Sequence, residues 1–177
     1  MQADVASYDL KKIIIVYISL FLISIFQTQT IHAGELHFVL NGKSIHINKA
    51  PGETLNERNY GAGFQYEFNR ISKNWLPFLN AGGFSDSYNK PSYYVGGGLV
   101  HRFKMPANSL GLHLDAGLTG FVMTKADVND NEPFPGVLPM VSIGNKRVAL
   151  NITYIPKITA IGTDLWFMQL KFNLGRF

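Results

Sequence analysis

The sequence predicts an all-β protein, an eight-stranded antiparallel transmembrane β-barrel of the outer-membrane type. Three observations predict it: an N-terminal segment with the layout of an export signal, long segments that alternate between apolar and polar residues, and a chain without cysteine. An exported barrel without disulfides is held by its closed network of backbone hydrogen bonds. Charged residues make up only 16% of the chain and aromatic residues 13%, which fits an outer surface in contact with lipid.

Residues 1–33 are predicted to be a cleaved signal peptide. Lys11 and Lys12 precede an apolar run at 13–26, and a polar stretch follows that ends at Ala33. A transmembrane anchor is the alternative, but fourteen apolar residues are fewer than the ~20 that a helix needs to cross a bilayer. Residues 34–177 then form a single barrel domain. The formal net charge of +4 is too small to indicate nucleic-acid binding.

Eight segments have strand character, and the last shows it most clearly. In that segment Trp166, Met168 and Leu170 share one face while Gln169 and Lys171 share the other, because side chains alternate along a strand. The second, fifth and seventh segments alternate in the same way. The predicted strands are 35–48, 59–69, 74–85, 91–103, 109–123, 137–143, 147–155 and 164–174.

The first segment contains Asn41 and Gly42, a pair that is also typical of a hairpin turn. A turn there would give nine strands, whereas single-chain bacterial barrels have an even number. We therefore interpret Gly42 as a bulge or bend within one strand.

The connections between the strands assign the two ends of the barrel. With both chain ends at the periplasmic end, alternate connections are short lower turns and longer outer loops. The lower turns are predicted at 70–73, 104–108 and 144–146, and the outer loops at 49–58, 86–90, 124–136 and 156–163.

Glycine is frequent on the strand face that is predicted to line the lumen. These glycines can ease the curvature of a small barrel, or they can leave an apolar slot for a hydrocarbon chain. The sequence favours neither interpretation over the other. The glycines are Gly61, Gly63, Gly96, Gly98, Gly111 and Gly117.

His46 is the one histidine that the strand assignment places at the outer mouth, near Asp86 and Ser87. A histidine, a serine and a carboxylate are the minimum set for acyl transfer, because imidazole can take a proton from an attacking hydroxyl. Ser and Asp are also ordinary loop residues. Asp86 and Ser87 would point to opposite faces of a regular strand, so both can face His46 only where the backbone turns. The sequence contains no metal-ligand cluster and no nucleophile elbow.

Four segments resemble the lipid A palmitoyltransferase (PagP) family in order and spacing, from residue 56 to the C-terminus. They are residues 56–64 (NERNYGAGF), 84–90 (FSDSYNK), 137–144 (VLPMVSIG) and 153–156 (TYIP). The resemblance implies an eight-stranded outer-membrane barrel that moves a palmitoyl chain from the sn-1 position of a phospholipid to lipid A, which supports resistance to antimicrobial peptides. It implies no cofactor.

The resemblance also implies roles for individual residues. Asp86 and Ser87 match the family's essential Asp and Ser, and His46 matches its His, although a shorter stretch joins His46 to Asn56. Gly98 matches the glycine at the floor of the family's acyl slot. The residues that flank a lateral gap between strands six and seven are Pro139 and Pro156, and proline cannot donate to the hydrogen-bond ladder there.

Two features of the family are absent from this sequence. No amphipathic helix precedes the barrel, since strand one follows Ala33 almost at once. Asn59 stands where a proline would open a second gap between strands one and two. We therefore expect a monomeric outer-membrane acyltransferase with a phospholipid donor and a lipid A acceptor. A lipid hydrolase and a non-catalytic structural barrel are the alternatives.

Overall fold

The computed structural model is a closed antiparallel barrel of eight strands in sequence order. It describes residues 34–177 apart from 50, 106–110, 127, 129–130 and 158–162. The predicted signal peptide therefore lies outside the described residues. The strands are β1 (Glu35–Ile47), β2 (Arg58–Glu67), β3 (Trp75–Ser85), β4 (Pro91–Lys104), β5 (His113–Met123), β6 (Phe134–Gly144), β7 (Val148–Ile155) and β8 (Asp164–Arg176).

Every regular element among the described residues is a strand, and no helix there is long and apolar enough to cross a membrane. The barrel closes between the first and last strands, where β1 pairs with β8 from Glu35↔Arg176 to Ile47↔Asp164. The predicted eight-stranded antiparallel architecture is confirmed.

The outer face is apolar, as the alternating pattern predicts. Outward side chains on successive strands are exposed, and buried side chains alternate with them along each strand. In β8, Trp166 and Leu170 are exposed while Lys171 and Phe167 are buried. The large exposed apolar side chains include Leu40, Ile45, Tyr60, Phe64, Leu79, Val95, Leu99, Leu118, Val122, Val137, Val141, Trp166 and Leu170.

Gly42 lies at a bulge, which confirms the interpretation drawn from the sequence. The pairing register of β1 shifts between Asn41 and Lys43 against both of its neighbours. Because a bulge adds one residue to a strand, it reverses which residues face inward. Val39 and Asn41 face the lumen below the bulge, and Ser44 and His46 face it above.

Two predicted strand boundaries are wrong. β5 begins at His113 and not at 109, and Gly111 lies in the preceding connection with a positive φ of 65°, so Gly111 does not line the lumen. Its apolar neighbours continue the alternating pattern, which hides the end of the strand. β6 begins at Phe134 and not at 137, because Pro135 and Gly136 pair with β5 despite their low strand propensity. Residues 106–108 of the turn expected at 104–108 lie outside the described residues, and Lys104 belongs to β4.

The seam between β6 and β7 is open in its upper half. Their ladder runs only from Gly144↔Ala149 to Met140↔Thr153, although β6 begins at Phe134 and β7 continues to Ile155. In contrast, β1 and β2 remain paired up to Lys43↔Arg58, with a backbone hydrogen bond of 3.0 Å from Ser44 N to Glu57 O. The expectation of one gap at β6–β7 and none at β1–β2 agrees with this pairing.

The lower half of the lumen is filled by an ion-pair cluster, which comprises Glu67, Arg102, Asp115 and Lys171. Lys171 contacts Glu67, and both Arg102–Asp115 hydrogen bonds are 2.8 Å. Arg102 also lies 3.7 Å from Glu67. The Glu67, Lys171 and Asp115 side chains are at most 6% exposed. Mutual pairing is what permits charged side chains at such depth.

Candidate active site

The bulge in β1 positions His46. It turns His46 inward near the outer end of the strand, and the imidazole becomes almost fully buried, with 1% of the side chain exposed. Since β1 also carries His37 at its lower end, only the reversed alternation lets both histidines face the lumen.

Asp86 and Ser87 lie just beyond the end of β3, where the backbone has already turned. The Oδ1 atom of Asp86 accepts hydrogen bonds of 2.8 Å from the backbone N–H groups of Tyr88 and Lys90. Its Oδ2 atom accepts one of 3.2 Å from the backbone N–H of Ala126. Asp86 is 0% exposed. Its carboxylate therefore fixes the shape of the β3–β4 loop and joins it to the β5–β6 connection.

The same turn directs Ser87 at His46. The Oγ atom of Ser87 lies 2.9 Å from the Nε2 atom of His46, and both residues are buried. The structure thus brings His46 and Ser87 into direct contact, while Asp86 supports the loop that carries Ser87. The contact has the geometry in which imidazole accepts a proton from a hydroxyl.

Two asparagines, one in the β1–β2 loop and one at the start of β2, bind the segment that carries Ser87. Asn56 donates from its side chain to the Asp86 carbonyl at 2.9 Å, and its backbone N–H donates to the Ser87 carbonyl at 2.8 Å. The Asn59 side chain donates to the Ser85 carbonyl at 2.8 Å. The two loops therefore hold His46 and Ser87 in a fixed relation.

Glu57 is the rim residue that the sequence analysis did not select. Its Oε1 atom lies 3.6 Å from the Nδ1 atom of His46 and accepts a hydrogen bond of 2.7 Å from Lys49. That hydrogen bond holds the pKa of Glu57 below its ordinary value, so the carboxylate is charged at neutral pH. The signal in the sequence is its place in the segment 56–64, where that segment overlaps the outer loop predicted at 49–58.

An apolar cavity opens directly beneath the His46–Ser87 pair. The apolar side chains of its wall come from five strands, β3, β5, β6, β7 and β8, and a polar level lies below them in mid-lumen. That level is formed by Asn80, Thr119 and Gln169, and Gln169 donates to Asn41 at 2.6 Å. The apolar part is lined by Phe84, Phe121, Met123, Leu138, Ile155 and Phe167.

Gly98 faces the lumen, and the ring of Phe78 covers it. A Cβ atom at Gly98 would lie 2.5 Å from Cζ of Phe78 and 2.3 Å from the carbonyl oxygen of Leu118, so the position has no room for a larger residue. Phe78 is 2% exposed and packs with Leu76, Val100 and Met140. The role of Gly98 as the floor of an acyl slot stays a prediction, and Phe78 forms the surface above it.

The two prolines lie beside the open seam. Pro139 is exposed on the outer face of β6, directly next to the last residue that pairs with β7. Pro156 follows β7 and lines the cavity beneath His46. The unpaired part of the β6–β7 seam begins beside Pro139, and Pro156 lies at the end of β7 on the other side of that seam.

The described residues contain one group that could hold a metal ion, at the opposite end of the lumen from His46. Glu35, His37 and Glu67 bring ligand atoms within 4.8 Å of one another. Lys171 and Arg102 already compensate the charge of Glu67. A divalent cation there would face two positive side chains, so ion pairing is the better account of this group.

The fold and the site define a class: an outer-membrane β-barrel with a buried Ser–His pair above an apolar cavity. Residues 29–171 match the protein family described as "Antimicrobial peptide resistance and lipid A acylation protein PagP". The chain belongs to the PagP family, as the resemblance implies. This membership, together with the apolar outer face, places the protein in the outer membrane.

Several relatives carry the name lipid A acyltransferase PagP. The one from Methylobacillus flagellatus is 33% identical over 116 residues, which are 65% of this chain and 60% of the relative. The one from Bordetella pertussis is 31% identical over 103 residues, or 58% of this chain and 54% of the relative. The chain thus spans between 54% and 60% of the length of these two relatives.

Two solved barrels are similar in structure. The Yersinia pestis outer membrane protein Ail has a TM-score of 0.42 and 10% identity, with 81% of this chain and 99% of that chain covered. The N-terminal β-barrel domain of Pseudomonas aeruginosa OprF has a TM-score of 0.40 and 11% identity, with 81% of this chain and 100% of that chain covered.

Proposed function

We propose that the protein is an outer-membrane acyltransferase that moves a palmitoyl chain from the sn-1 position of a phospholipid to a hydroxyl of lipid A. The observation that carries this proposal is the 2.9 Å contact between His46 Nε2 and Ser87 Oγ, directly above an apolar cavity. The names of the relatives support both the reaction and the acceptor. The added chain would support resistance to antimicrobial peptides, in line with the family description.

The reaction requires one base and one polarising donor. His46 Nε2 takes the proton from the lipid A hydroxyl, and the hydroxyl oxygen attacks the ester carbonyl of the phospholipid. The Ser87 hydroxyl then donates to the carbonyl oxygen, where negative charge develops. Collapse of the tetrahedral intermediate breaks the bond to the sn-1 oxygen. That oxygen takes the proton from His46 and leaves as a lysophospholipid.

The barrel supplies the binding site for the donor. The acyl chain enters between β6 and β7, where the ladder is open beside Pro139, and extends into the cavity lined by Phe121, Leu138 and Phe167. The apolar walls exclude water from the reacting ester, which favours transfer over hydrolysis. The first and last strands are paired along their length at the closed β1–β8 seam, which favours a monomer.

The test is an analysis of lipid products from the refolded barrel. The protein is incubated with lipid A and a phospholipid that carries labelled palmitate at sn-1, and the products are identified by mass spectrometry. Transfer adds one labelled chain to lipid A. His46→Ala should lower this rate by about 10²-fold or more, since general-base catalysis contributes about 10²–10⁴-fold. His101→Ala, on the outer face beside Trp75, is the control and should keep the rate.

The alternatives give other products. A lipid hydrolase releases labelled fatty acid and leaves lipid A unchanged, and a structural barrel yields neither product. A labelled acyl group on Ser87 would replace direct transfer with a two-step reaction through an acyl-serine. Full activity in His46→Ala would show that the site is wrongly assigned.

A further inference from the structure

One ring nitrogen of the buried His46, Nδ1, takes no part in the proton transfer described above. Nε2 faces Ser87 at 2.9 Å. Nδ1 is buried and makes no hydrogen bond within the described part of the chain. A buried polar atom without a hydrogen bond is destabilising, so a group able to pair with it is expected nearby.

The carboxylate of Glu57 is the group that lies in that direction. Its Oε1 atom is 3.6 Å from Nδ1, which is beyond hydrogen-bond distance but within reach of a small side-chain movement. Catalytic hydrogen bonds are often long in the absence of substrate and shorten in the reacting complex. The backbone bond from Ser44 N to Glu57 O holds Glu57 beside β1, so only its side chain needs to move.

We propose that Glu57 is a positioning residue, which accepts a hydrogen bond from Nδ1–H of His46 and so keeps Nε2 free to take a proton. This inference rests on the proposed acyl transfer and names the third member of its site. A carboxylate beside Nδ1 fixes the tautomer of the ring, since the proton stays on the nitrogen that faces the negative charge. It also stabilises the imidazolium that forms when Nε2 accepts a proton.

Lys49 also pairs with this carboxylate, at the exposed rim of the barrel. Its ammonium group donates to the same Oε1 atom at 2.7 Å. Glu57 is 31% exposed and Lys49 34%, so water weakens their pairing and the carboxylate can rotate toward the buried ring. The Lys49–Glu57 pair therefore does not prevent the Glu57 carboxylate from pairing with His46.

The test compares three variants of the full barrel in detergent. Glu57→Gln keeps the size of the side chain but removes its charge, and kcat should fall about 10²-fold or more with little change in KM. Lys49→Gln breaks the same salt bridge and leaves the carboxylate in place, so kcat should remain near that of the unchanged protein. Glu57→Asp keeps the charge at shorter reach and should recover part of the lost activity. Equal losses in Glu57→Gln and Lys49→Gln would overturn the proposal, because the salt bridge alone would then matter.

The pH profile provides a second readout. The charged groups near His46 are Glu57 and Lys49 from the β1–β2 loop and Lys125 after β5, and Asp86 lies beside Ser87. A base must be unprotonated to act, so protonation of His46 sets the acid limb of the profile. Removing the negative charge in Glu57→Gln should move that limb to lower pH, and removing the positive charge in Lys49→Gln should move it to higher pH. Unmoved limbs in both variants would contradict the assignment.

An NMR measurement distinguishes a failure of this inference from a failure of the proposed function. Nitrogen NMR of histidine-labelled protein reports which ring nitrogen carries the proton, and His46→Ala identifies the signal. We expect the proton on Nδ1 in the unchanged protein and a shift toward Nε2 in Glu57→Gln. The same tautomer in both would overturn the role of Glu57. The expected shift in a barrel without transfer activity would retain that role and refute the acyltransferase.

Discussion

At the residue scale, the neighbouring residues Asp86 and Ser87 in the β3–β4 loop have different roles. Asp86 uses both carboxylate oxygens on backbone N–H groups, from Tyr88 and Lys90 on one side and from Ala126 on the other. Ser87 contacts the imidazole of His46. The geometry supports a Ser–His pair in which Asp86 acts through the loop that carries Ser87.

Asp86→Asn tests that distinction. The amide oxygen can still accept hydrogen bonds from the backbone N–H groups of Tyr88 and Lys90. The amide NH₂ group then faces the backbone N–H of Ala126, and two donors cannot form a hydrogen bond with each other. A buried donor without an acceptor costs about 1–3 kcal/mol, so both loop order and activity should decrease. The measurement is hydrogen exchange at Tyr88, Lys90 and Ala126 together with the transfer rate.

The control for this variant is Asp164→Asn, which changes a rim carboxylate whose hydrogen bonds are with Tyr154 and Lys157. It should leave exchange in the β3–β4 loop unchanged. Loss of activity in Asp86→Asn with unchanged exchange at all three amides would argue instead for direct contact between Asp86 and the substrates.

The sequence predicts some residues of the site better than others. His46, Asp86 and Ser87 belong to residue types with recognised chemistry, and strand counting places them at one end of the barrel. Glu57 could not be selected in this way, because acidic residues are common in exposed loops and its meaning depends on a distance to His46. That distance follows from the β1–β2 register, which a bulge at Gly42 shifts.

At the element scale, the incomplete ladder between β6 and β7 separates this seam from the others. Pro139 lies where pairing stops, and proline cannot extend the ladder by donating a hydrogen bond. The sequence predicts the place of this opening in two ways: proline lacks a backbone N–H donor, and the residues resemble the PagP family. It does not predict the length of β6, since Pro135 and Gly136 suggest a loop there.

A reversible covalent bond across the open seam tests whether lipid enters there. Continuing the β6–β7 register places Leu138 opposite Ile155, and both face the cavity. The chain has no cysteine, so Leu138→Cys with Ile155→Cys offers a single disulfide, which needs Cα atoms about 4.4–6.8 Å apart. Oxidation should abolish transfer, and reduction should restore it, as measured by the lipid assay.

The matched pair for this experiment is Val95→Cys with Val122→Cys, which joins β4 and β5 where they are already paired on the outer face. Its oxidation should leave the rate unchanged. If mass spectrometry shows a complete Leu138–Ile155 cross-link and the rate is retained, the acyl chain enters by another route.

At the scale of the whole molecule, the lumen is divided into an apolar upper half and a charged lower half. The charged half joins residues from four strands: Glu67 in β2, Arg102 in β4, Asp115 in β5 and Lys171 in β8. The sequence shows that each faces inward, but their meeting depends on the stagger of strands that are distant in the chain. The eight-stranded closure is therefore predictable, and the ion-pair cluster is not.

The losses of stability from removing Glu67 and from removing Lys171 should not be additive. Glu67→Gln removes the partner of the buried Lys171, which costs about 3–5 kcal/mol in the free energy of unfolding. Lys171→Met should cost less, because Glu67 keeps Arg102 at 3.7 Å. The double variant should cost less than the sum of the two. Urea unfolding in lipid vesicles, followed by tryptophan fluorescence, measures all three.

The exposed pair Arg176–Glu35, 3.8 Å apart, provides the comparison. Arg176→Gln should change the free energy of unfolding by about 0–1 kcal/mol, because surface ion pairs are screened by water. Additive losses for Glu67 and Lys171 would mean that the two side chains stabilise the barrel independently.

The divided lumen also has a consequence for the permeability of the membrane that contains it. Ions that entered from outside would meet phenylalanine and leucine walls, and those that entered from below would have to displace the Glu67–Lys171 and Arg102–Asp115 pairs. The described lumen therefore offers no conducting path, unlike the wide aqueous channels of larger barrels. Many copies can occupy the outer membrane without making it leak electrolytes or small antibiotics.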